Sequence, residues 1–331
     1  MQTKAFTTHL IKKGVLTSIL ICISLNCFCW GFYGHKKINN YAVYLLPPSM
    51  IGFYKKNIDY IIEHAVDPDK RRYAIPEEGP RHYLDLDHYG KPPYSNLPRN
   101  WYDAVAKIGE DTLNTYGIGP WWVINMQSKL TLAFKEKNAA KILKYSAEIG
   151  HYIADLHVPL HASSNHNGQH TGQNGIHGFW ESRLPELLAD VKWDFFIAPA
   201  TFIDKPTDYI WARMLESGAA SDTVLNYEAN LNRTFAKDKK YAYENRNNLT
   251  IKQYSSAYSI AYDKILNGMV ERRMRQSIYS VASFWYTAWV NAGQPNLNSL
   301  QLQPLTTAEL KEQELLEQQW KNSKGKVTIC D

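Results

Sequence analysis

Cysteine is nearly absent from this chain. Only four cysteines occur in 331 residues, and three of them, Cys22, Cys27 and Cys29, lie within the first 29 residues. If that segment is removed, Cys330 is the only cysteine left, so no disulfide can form inside the remaining chain. A fold braced by disulfides is therefore excluded, and bound metal is a candidate for what braces it instead.

Long apolar runs are also scarce, and the mean hydropathy of −0.42 argues against a protein with many membrane spans. The apolar run at 15–25 follows three lysines and leads to Cys27 and Cys29, which stand at −3 and −1 before Trp30. This is the pattern of a secretory signal peptide, with an uncleaved anchor helix as the alternative. We therefore expect residues 1–29 to be removed and the protein to be secreted or periplasmic.

An excess of one charge is missing as well. The whole chain has 37 basic and 32 acidic residues, a formal net charge of +5. Without the three lysines of the first segment, 34 basic residues face 32 acidic ones, which leaves +2. Such a charge is too small to predict binding to nucleic acid or anionic lipid by itself.

Strand patterns and internal repeats are not evident, whereas apolar residues recur three and four apart along most of the chain. The pattern predicts an all-α fold, a single multi-helix domain over 30–300, followed by a C-terminal helix and tail at 301–331. Helices are expected at 34–46, 50–66, 101–116, 120–137, 138–157, 177–189, 208–235, 250–292 and 305–322. Long loops are expected at 67–98 and 162–175, and loops of that length usually carry function.

Two pairs of potential metal ligands have helical spacing. In the segment GHYIADLHVPLH, His151 and Asp155 are four residues apart, and His161 follows just after a proline ends the helix. In GIHGFWE, His177 and Glu181 repeat the same spacing. Residues four apart project from one helical face, so an imidazole and a carboxylate can converge on one ion. Either pair alone is also typical of a hydrogen-bonded pair in a protein core.

Further histidines stand near acids or near the predicted new N-terminus. His82 lies in RHYLDLD, and Asp67 lies fifteen residues upstream in HAVDPDKRR. His35 follows five residues after Trp30. A free terminal amine and its carbonyl oxygen can chelate a metal, which would give the cleavage before Trp30 a chemical purpose.

Together these motifs resemble the superfamily of zinc-dependent phospholipases C and single-strand-specific nucleases. The resemblance rests on the order of the motifs and on the signature His-x-x-x-Asp-x5-His with its Pro-Leu-His ending, and it covers residues 30 to 181. It implies an all-α phosphodiesterase with three Zn²⁺ ions. The implied ligands are Trp30, His35, Asp67, His82, His151, Asp155, His161, His177 and Glu181.

The resemblance also implies how these ligands are shared. The first ion would be held by Asp67, His82, His151 and Asp155; the second by His161, His177 and Glu181; the third by Trp30, His35 and a bridging Asp155. Imidazole and carboxylate groups suit zinc, and open positions leave room for a water that the ions activate to attack phosphorus. Asp67 is the candidate catalytic residue that orients or deprotonates this water.

The substrate is less well defined by the motifs. The short spacing from Trp30 to His35 and the tryptophan before Glu181 resemble the nucleases, whereas Glu181 itself resembles the phospholipases C. Our main prediction is an exported nuclease that cleaves single-stranded nucleic acid or nucleotides, with Tyr83 stacking on a base and Asp85 bonding its edge. The alternative is a phospholipase C acting on phospholipid head groups, and a third reading is a zinc-binding protein without turnover. No protein partner is implied.

Overall fold

Helices form most of the chain, of which a computed structural model describes residues 31–246, 249–302 and 307–323. The α-helices are α1 Phe32–Val43, α2 Pro48–Lys56, α3 Ile58–Glu63, α4 Asp67–Arg71, α5 Trp101–Ile108, α6 Glu110–Tyr116, α7 Gly119–Lys135, α8 Ala139–Asp155, α9 Ile176–Gly178, α10 Leu184–Leu188, α11 Pro206–Thr234, α12 Ser256–Leu266, α13 Met269–Asn291 and α14 Thr307–Ser323. The prediction of an all-α fold is confirmed. The proposed signal peptide and Trp30 lie outside the described residues.

Short helical turns connect several of the α-helices, and two of these turns lie in a segment that was expected to be a loop. Turns of 3-10 helix occupy His64–Val66, Pro76–His82, Leu86–Tyr89, Pro159–Ala162 and Lys237–Lys239, and a π-helical turn occupies Phe179–Arg183. The long loop predicted at 67–98 therefore contains α4 and two of these turns. Pro76 begins the second turn, where its missing N–H costs no helical hydrogen bond.

Three predicted helices are interrupted. The helix expected at 50–66 divides at Asn57 into α2 and α3 and ends in a 3-10 turn. The helix expected at 101–116 divides at Gly109, whose φ of 92° is open to glycine but strained for other residues. The helix expected at 250–292 is wrong at its start, because β2 Leu249–Tyr254 pairs antiparallel with β1 Tyr241–Arg246. The remainder is split into α12 and α13 by left-handed residues, Asn267 at φ 51° and Gly268 at φ 70°.

Helix α8 lies at the centre of the bundle and packs against α7, α13 and α1. The residue that caps the start of this helix is Asn138, whose side-chain oxygen accepts a hydrogen bond from the Lys141 amide at 3.0 Å. From residue 146 to its end the helix is buried on every side. Trp285 of α13 donates to the Ser146 carbonyl at 2.9 Å, and both residues are completely buried.

The close approach of α1 to α8 depends on Gly150. A Cβ at this position would lie 2.0 Å from Oδ1 of Asn39, the buried residue of α1 whose amide donates to the Ala147 carbonyl at 3.0 Å. Because Gly150 has no side chain, α1 can lie close to α8. The rings of His35 and His151 then stack with their centroids 3.8 Å apart. The smallest residue of α8 thus sets the position of a histidine on α1.

None of the helices within the described ranges is both long enough and apolar enough to cross a membrane.

Candidate metal centre

The C-terminal half of α8 supplies the middle of the site. His151 and Asp155 are fully buried and lie on one face, with His151 Nε2 3.3 Å from Asp155 Oδ2. The Nδ1 atom of His151 donates to the Ala65 carbonyl at 2.8 Å. This bond fixes the tautomer and leaves Nε2 free to face the site, as expected for a histidine that binds metal.

Three more histidines reach Asp155 from the segments before and after α8. His82 Nδ1 lies 2.8 Å from Asp155 Oδ2. His161 donates through Nδ1 to the His82 carbonyl at 2.7 Å and turns Nε2 towards Asp155 Oδ1, 4.0 Å away. His35 Nε2 lies 3.3 Å from the same Oδ1 atom. Both oxygens of one buried carboxylate therefore face imidazoles.

The π-helical turn supplies the other side of the site. His177 Nε2 lies 3.0 Å from Glu181 Oε2, and His161 Nε2 lies 3.5 Å from the same oxygen. The wider turn carries Glu181 inward at zero exposure, and π-helical turns are frequent at functional sites. The amide of Gly31 donates to Ser182 Oγ at 3.2 Å. The first described residue of the chain therefore contacts the residue that follows Glu181.

Potential ligand atoms converge in three groups. Within each group one atom per residue lies within 4.8 Å of the others, and all the residues are buried. The groups are His35, Asp69 and His151; His82, His151 and Asp155; and His161, His177 and Glu181. The last group contains the three residues that the sequence assigned to one ion, and the middle group contains three of the four assigned to another.

Asp67 is not in any of these groups. Asp69 occupies the place beside His82 and His151 that the sequence analysis had given to Asp67. Asp69 Oδ1 lies 3.6 Å from His151 Nε2 and 3.9 Å from His82 Nδ1. Asp67 instead pairs with His64 at 2.5 Å and with Lys70 at 3.1 Å. The cause is helical geometry: residues two apart on α4 project about 200° from one another, so only one can face inward.

Electrostatics within the site hold charges that burial alone would remove. Burial opposes ionisation of Asp155, yet His151 and His161 keep the pKa of its carboxyl well below the usual range. His177 and His161 likewise lower the pKa of Glu181 against its burial. Burial disfavours the charged form of His161 too, but Asp155 and Glu181 raise its pKa to about 9.

Several buried polar atoms in the site have no hydrogen-bond partner among the described residues. They include Asp69 Oδ2, Asp155 Oδ1, His161 Nε2, His177 Nδ1, Glu181 Oε1 and both ring nitrogens of His35. Unpaired buried polar groups are costly, and native proteins rarely leave so many together. Nitrogen and carboxylate oxygen atoms are the ligands that Zn²⁺ prefers, so this set fits zinc.

At the edge of the site, the segment from Tyr83 to Asp85 is held between two neighbours. The amide of Leu84 donates to the His161 carbonyl at 3.0 Å, and the amide of Asp85 donates to the Tyr116 carbonyl at 2.8 Å. The Tyr83 hydroxyl donates to the Thr115 carbonyl at 3.2 Å. These bonds place the side chain of Asp85 close enough to His161 for their charges to interact.

The carboxylate of Asp85 is half-buried and makes no hydrogen bond or ion pair with any residue in the described part of the chain. Burial and the nearby charge of Asp87 raise the pKa of Asp85 to about 7. A carboxylate in such a position can receive a cation or an N–H group from outside the protein.

Sequence reasoning missed two residues of this region. Asp69 was overlooked because the family resemblance was matched to Asp67, fifteen residues before His82. Glu78 is completely buried, with Oε1 3.7 Å from His82 Nε2. Its signal was the spacing of four residues between Glu78 and His82, the same spacing that identified the two other pairs.

No curated protein matches the chain. A family model, described as zinc-dependent phospholipase C, matches residues 34–259, which is more than half of the chain and includes every residue of the three groups. The match supports zinc as the metal, and it favours the alternative of our sequence analysis over the nuclease reading. The chain therefore belongs to the zinc-dependent phospholipase C family and is a zinc-dependent hydrolase of phosphoric ester bonds.

Proposed function

We propose that this enzyme acts as a phospholipase C and hydrolyses the phosphodiester bond between diacylglycerol and the phosphorylated head group of a phospholipid. The observation that carries the proposal is the convergence of buried, unpaired nitrogen and oxygen atoms in three groups, inside a region matched by the zinc-dependent phospholipase C family. We propose further that three zinc ions bind among these groups, with the one free ring nitrogen of His151 binding a single ion, and that the protein is exported.

Several residues would divide the work of the site. We propose that Asp69 replaces Asp67 in the ligand set, since its Oδ1 atom lies 3.6 Å from His151 Nε2, which leaves the buried, unpaired Oδ2 atom for another role. Trp30 stays a proposed ligand through its terminal amine and carbonyl oxygen, a role supported by the position of Gly31 beside Ser182. When bound, zinc lowers the pKa of water and neutralises charge on the phosphoryl oxygens.

The chain's own groups would orient the reaction. Water would attack phosphorus as the bond to the diacylglycerol oxygen breaks, and Asp69 Oδ2 would accept the proton that the water loses. Asp69 would then pass this proton to the leaving diacylglycerol oxygen, which restores the carboxylate. The bonds from His151 to the Ala65 carbonyl and from His161 to the His82 carbonyl keep both imidazoles in one orientation throughout.

Nuclease activity remains a second candidate because of Tyr83 and Asp85. A base could stack on the tyrosine ring and offer an N–H group to the unpaired carboxylate. The choice is tested by incubating the zinc-loaded protein with phospholipid vesicles and with single-stranded DNA. Release of diacylglycerol and a phosphorylated head group supports our proposal, whereas cleavage of DNA without turnover of lipid would refute it.

We predict that Asp85→Asn weakens substrate binding while stabilising the fold. A hydrogen bond to a charged group contributes about 1.5–3 kcal/mol, so KM is expected to rise roughly tenfold or more. The pKa of Asp85 is raised in the folded protein, so ionisation of this carboxyl destabilises the fold. The loss of stability grows as pH rises from about 4 through about 7. At pH 8, removing this charge should raise Tm by roughly 2–4 °C.

The exposed Asp111→Asn is the matched control, because it removes one negative charge without touching the site. It should leave KM unchanged and should not raise Tm, because Asp111 lies in the first turn of α6, where a negative charge is favourable. If Asp85→Asn behaves like this control in both measurements, Asp85 is not part of the substrate site.

A further inference from the structure

His82 is oriented differently from His151 and His161, which also lie beside Asp155. His151 and His161 turn Nε2 towards the site and donate through Nδ1 to backbone carbonyls. His82 turns Nδ1 towards the site, 2.8 Å from Asp155 Oδ2 and 3.1 Å from His151 Nε2. Its Nε2 atom therefore points outward, away from the proposed metal.

The outer nitrogen of His82 faces a carboxylate rather than a backbone carbonyl. Nε2 is buried and has no closer hydrogen-bond partner within the described ranges, and Oε1 of Glu78 lies 3.7 Å from it. Both residues belong to the turn Pro76–His82, four residues apart. A small rotation of the imidazole ring is enough to bring the two atoms into hydrogen-bond distance.

Glu78 is held in place by donors that come from outside this pair. Arg81 lies 2.6 Å from Oε2, Arg71 Nε lies 3.2 Å from the same oxygen, and the Tyr152 hydroxyl donates to Oε1. Two guanidinium groups and a hydroxyl therefore hold a carboxylate that is completely buried.

We propose that Glu78 is a positioning residue for the metal centre: it accepts the Nε2 proton of His82 in a hydrogen bond and so presents the Nδ1 lone pair to the ion held by His82, His151 and Asp155. A carboxylate partner makes an imidazole a stronger donor than a backbone carbonyl does. The inference rests on the proposed metal site and adds a residue that touches neither the metal nor the substrate.

A purely structural role for Glu78 would consist only of neutralising Arg71 and Arg81. Glu148 offers a matched control for that possibility. Its Oε1 atom lies 2.8 Å from Arg71 on the other side of the same guanidinium, and the described contacts of Glu148 do not include His82. Removing the charge of Glu148 therefore perturbs the arginine without changing the hydrogen bond under test.

The experiment compares Glu78→Gln and Glu148→Gln with the natural enzyme, using zinc stoichiometry and affinity by competition with a chelator. We expect Glu78→Gln to lower the affinity for one ion about 10- to 100-fold, which is the usual effect of removing such a partner. The number of ions retained after dialysis against the chelator should fall by about one. Glu148→Gln should retain the natural stoichiometry and affinity.

A spectroscopic measurement on the zinc-loaded protein separates positioning from folding. The ¹⁵N NMR signals of the His82 ring should show that Nε2 is protonated in the natural enzyme. The ¹H signal of the proton on Nε2 should move upfield in Glu78→Gln, because its hydrogen bond is weaker. If Glu78→Gln does not fold, Glu78→Asp keeps the charge beside the arginines and withdraws the carboxylate from His82 by one methylene. It should then show the same loss of affinity and the same spectral shift.

Unchanged zinc affinity and unchanged His82 signals in the folded Glu78 variant would overturn the inference. An equal loss in Glu148→Gln would also overturn it, because the effect would then come from the arginine network. If the natural protein itself bound no zinc, the proposed function would fail instead, and the two failures can be told apart.

Discussion

Asp69→Asn is expected to lower kcat/KM by at least about 100-fold, whereas Asp67→Asn stays within about twofold of the natural enzyme. The loss of a positioned proton acceptor alone typically costs 10²–10⁴-fold, and Asp69 is also a proposed ligand. Asp67 is occupied by His64 and Lys70 outside the three groups. Steady-state rates on phospholipid vesicles, with zinc content measured for both variants, check the prediction.

The two substitutions are chemically identical and lie on the same turn of α4, so each controls for the other. If Asp67→Asn were inactive and Asp69→Asn active, the assignment made from sequence spacing would be right. The inward orientation of Asp69 would then not be the one used in catalysis.

Removal of zinc is expected to destabilise the protein strongly as well as to abolish activity. A ligand present at about 1,000 times its Kd stabilises the folded state by about 4 kcal/mol per site. For a chain of this size each such site corresponds to a fall in Tm of roughly 8–16 °C. The cause is the burial of Asp155 and Glu181, whose charges lose their metal partner.

Thermal unfolding of the enzyme before and after treatment with a chelator measures this effect. Adding Zn²⁺ back should restore both Tm and turnover, and adding Mg²⁺ should restore neither, because Mg²⁺ prefers oxygen ligands. A chelated protein that keeps its Tm and its activity would show that these groups do not depend on a bound metal.

Much of the site could be predicted because several of its potential ligands are close to one another in the sequence. The pairs His151 with Asp155 and His177 with Glu181 are four residues apart, and helical geometry alone brings each pair together. Which acid upstream of His82 faces inward could not be predicted, since Asp67 and Asp69 differ only in their direction from α4. That direction is set by tertiary packing, which sequence spacing does not contain.

The errors in the fold have similar causes. The hairpin of β1 and β2 was missed because each strand has only six residues and neither YAYENR nor LTIKQY alternates strictly between apolar and polar residues. Strands that short are easily mistaken for helix ends. The break at Gly109 was also missed, although glycine with positive φ is a common signal for the end of a helix. Glu78 was missed because its function depends on His82 rather than on the metal.

The most direct measurement is anomalous X-ray diffraction from crystals of the purified enzyme, with data collected on both sides of the zinc absorption edge. We predict strong anomalous peaks at three positions: one among Asp69, His82, His151 and Asp155, one among His161, His177 and Glu181, and one beside His35. Crystals grown with zinc that give no anomalous peak within these groups would contradict the proposed metal centre and the chemistry that depends on it.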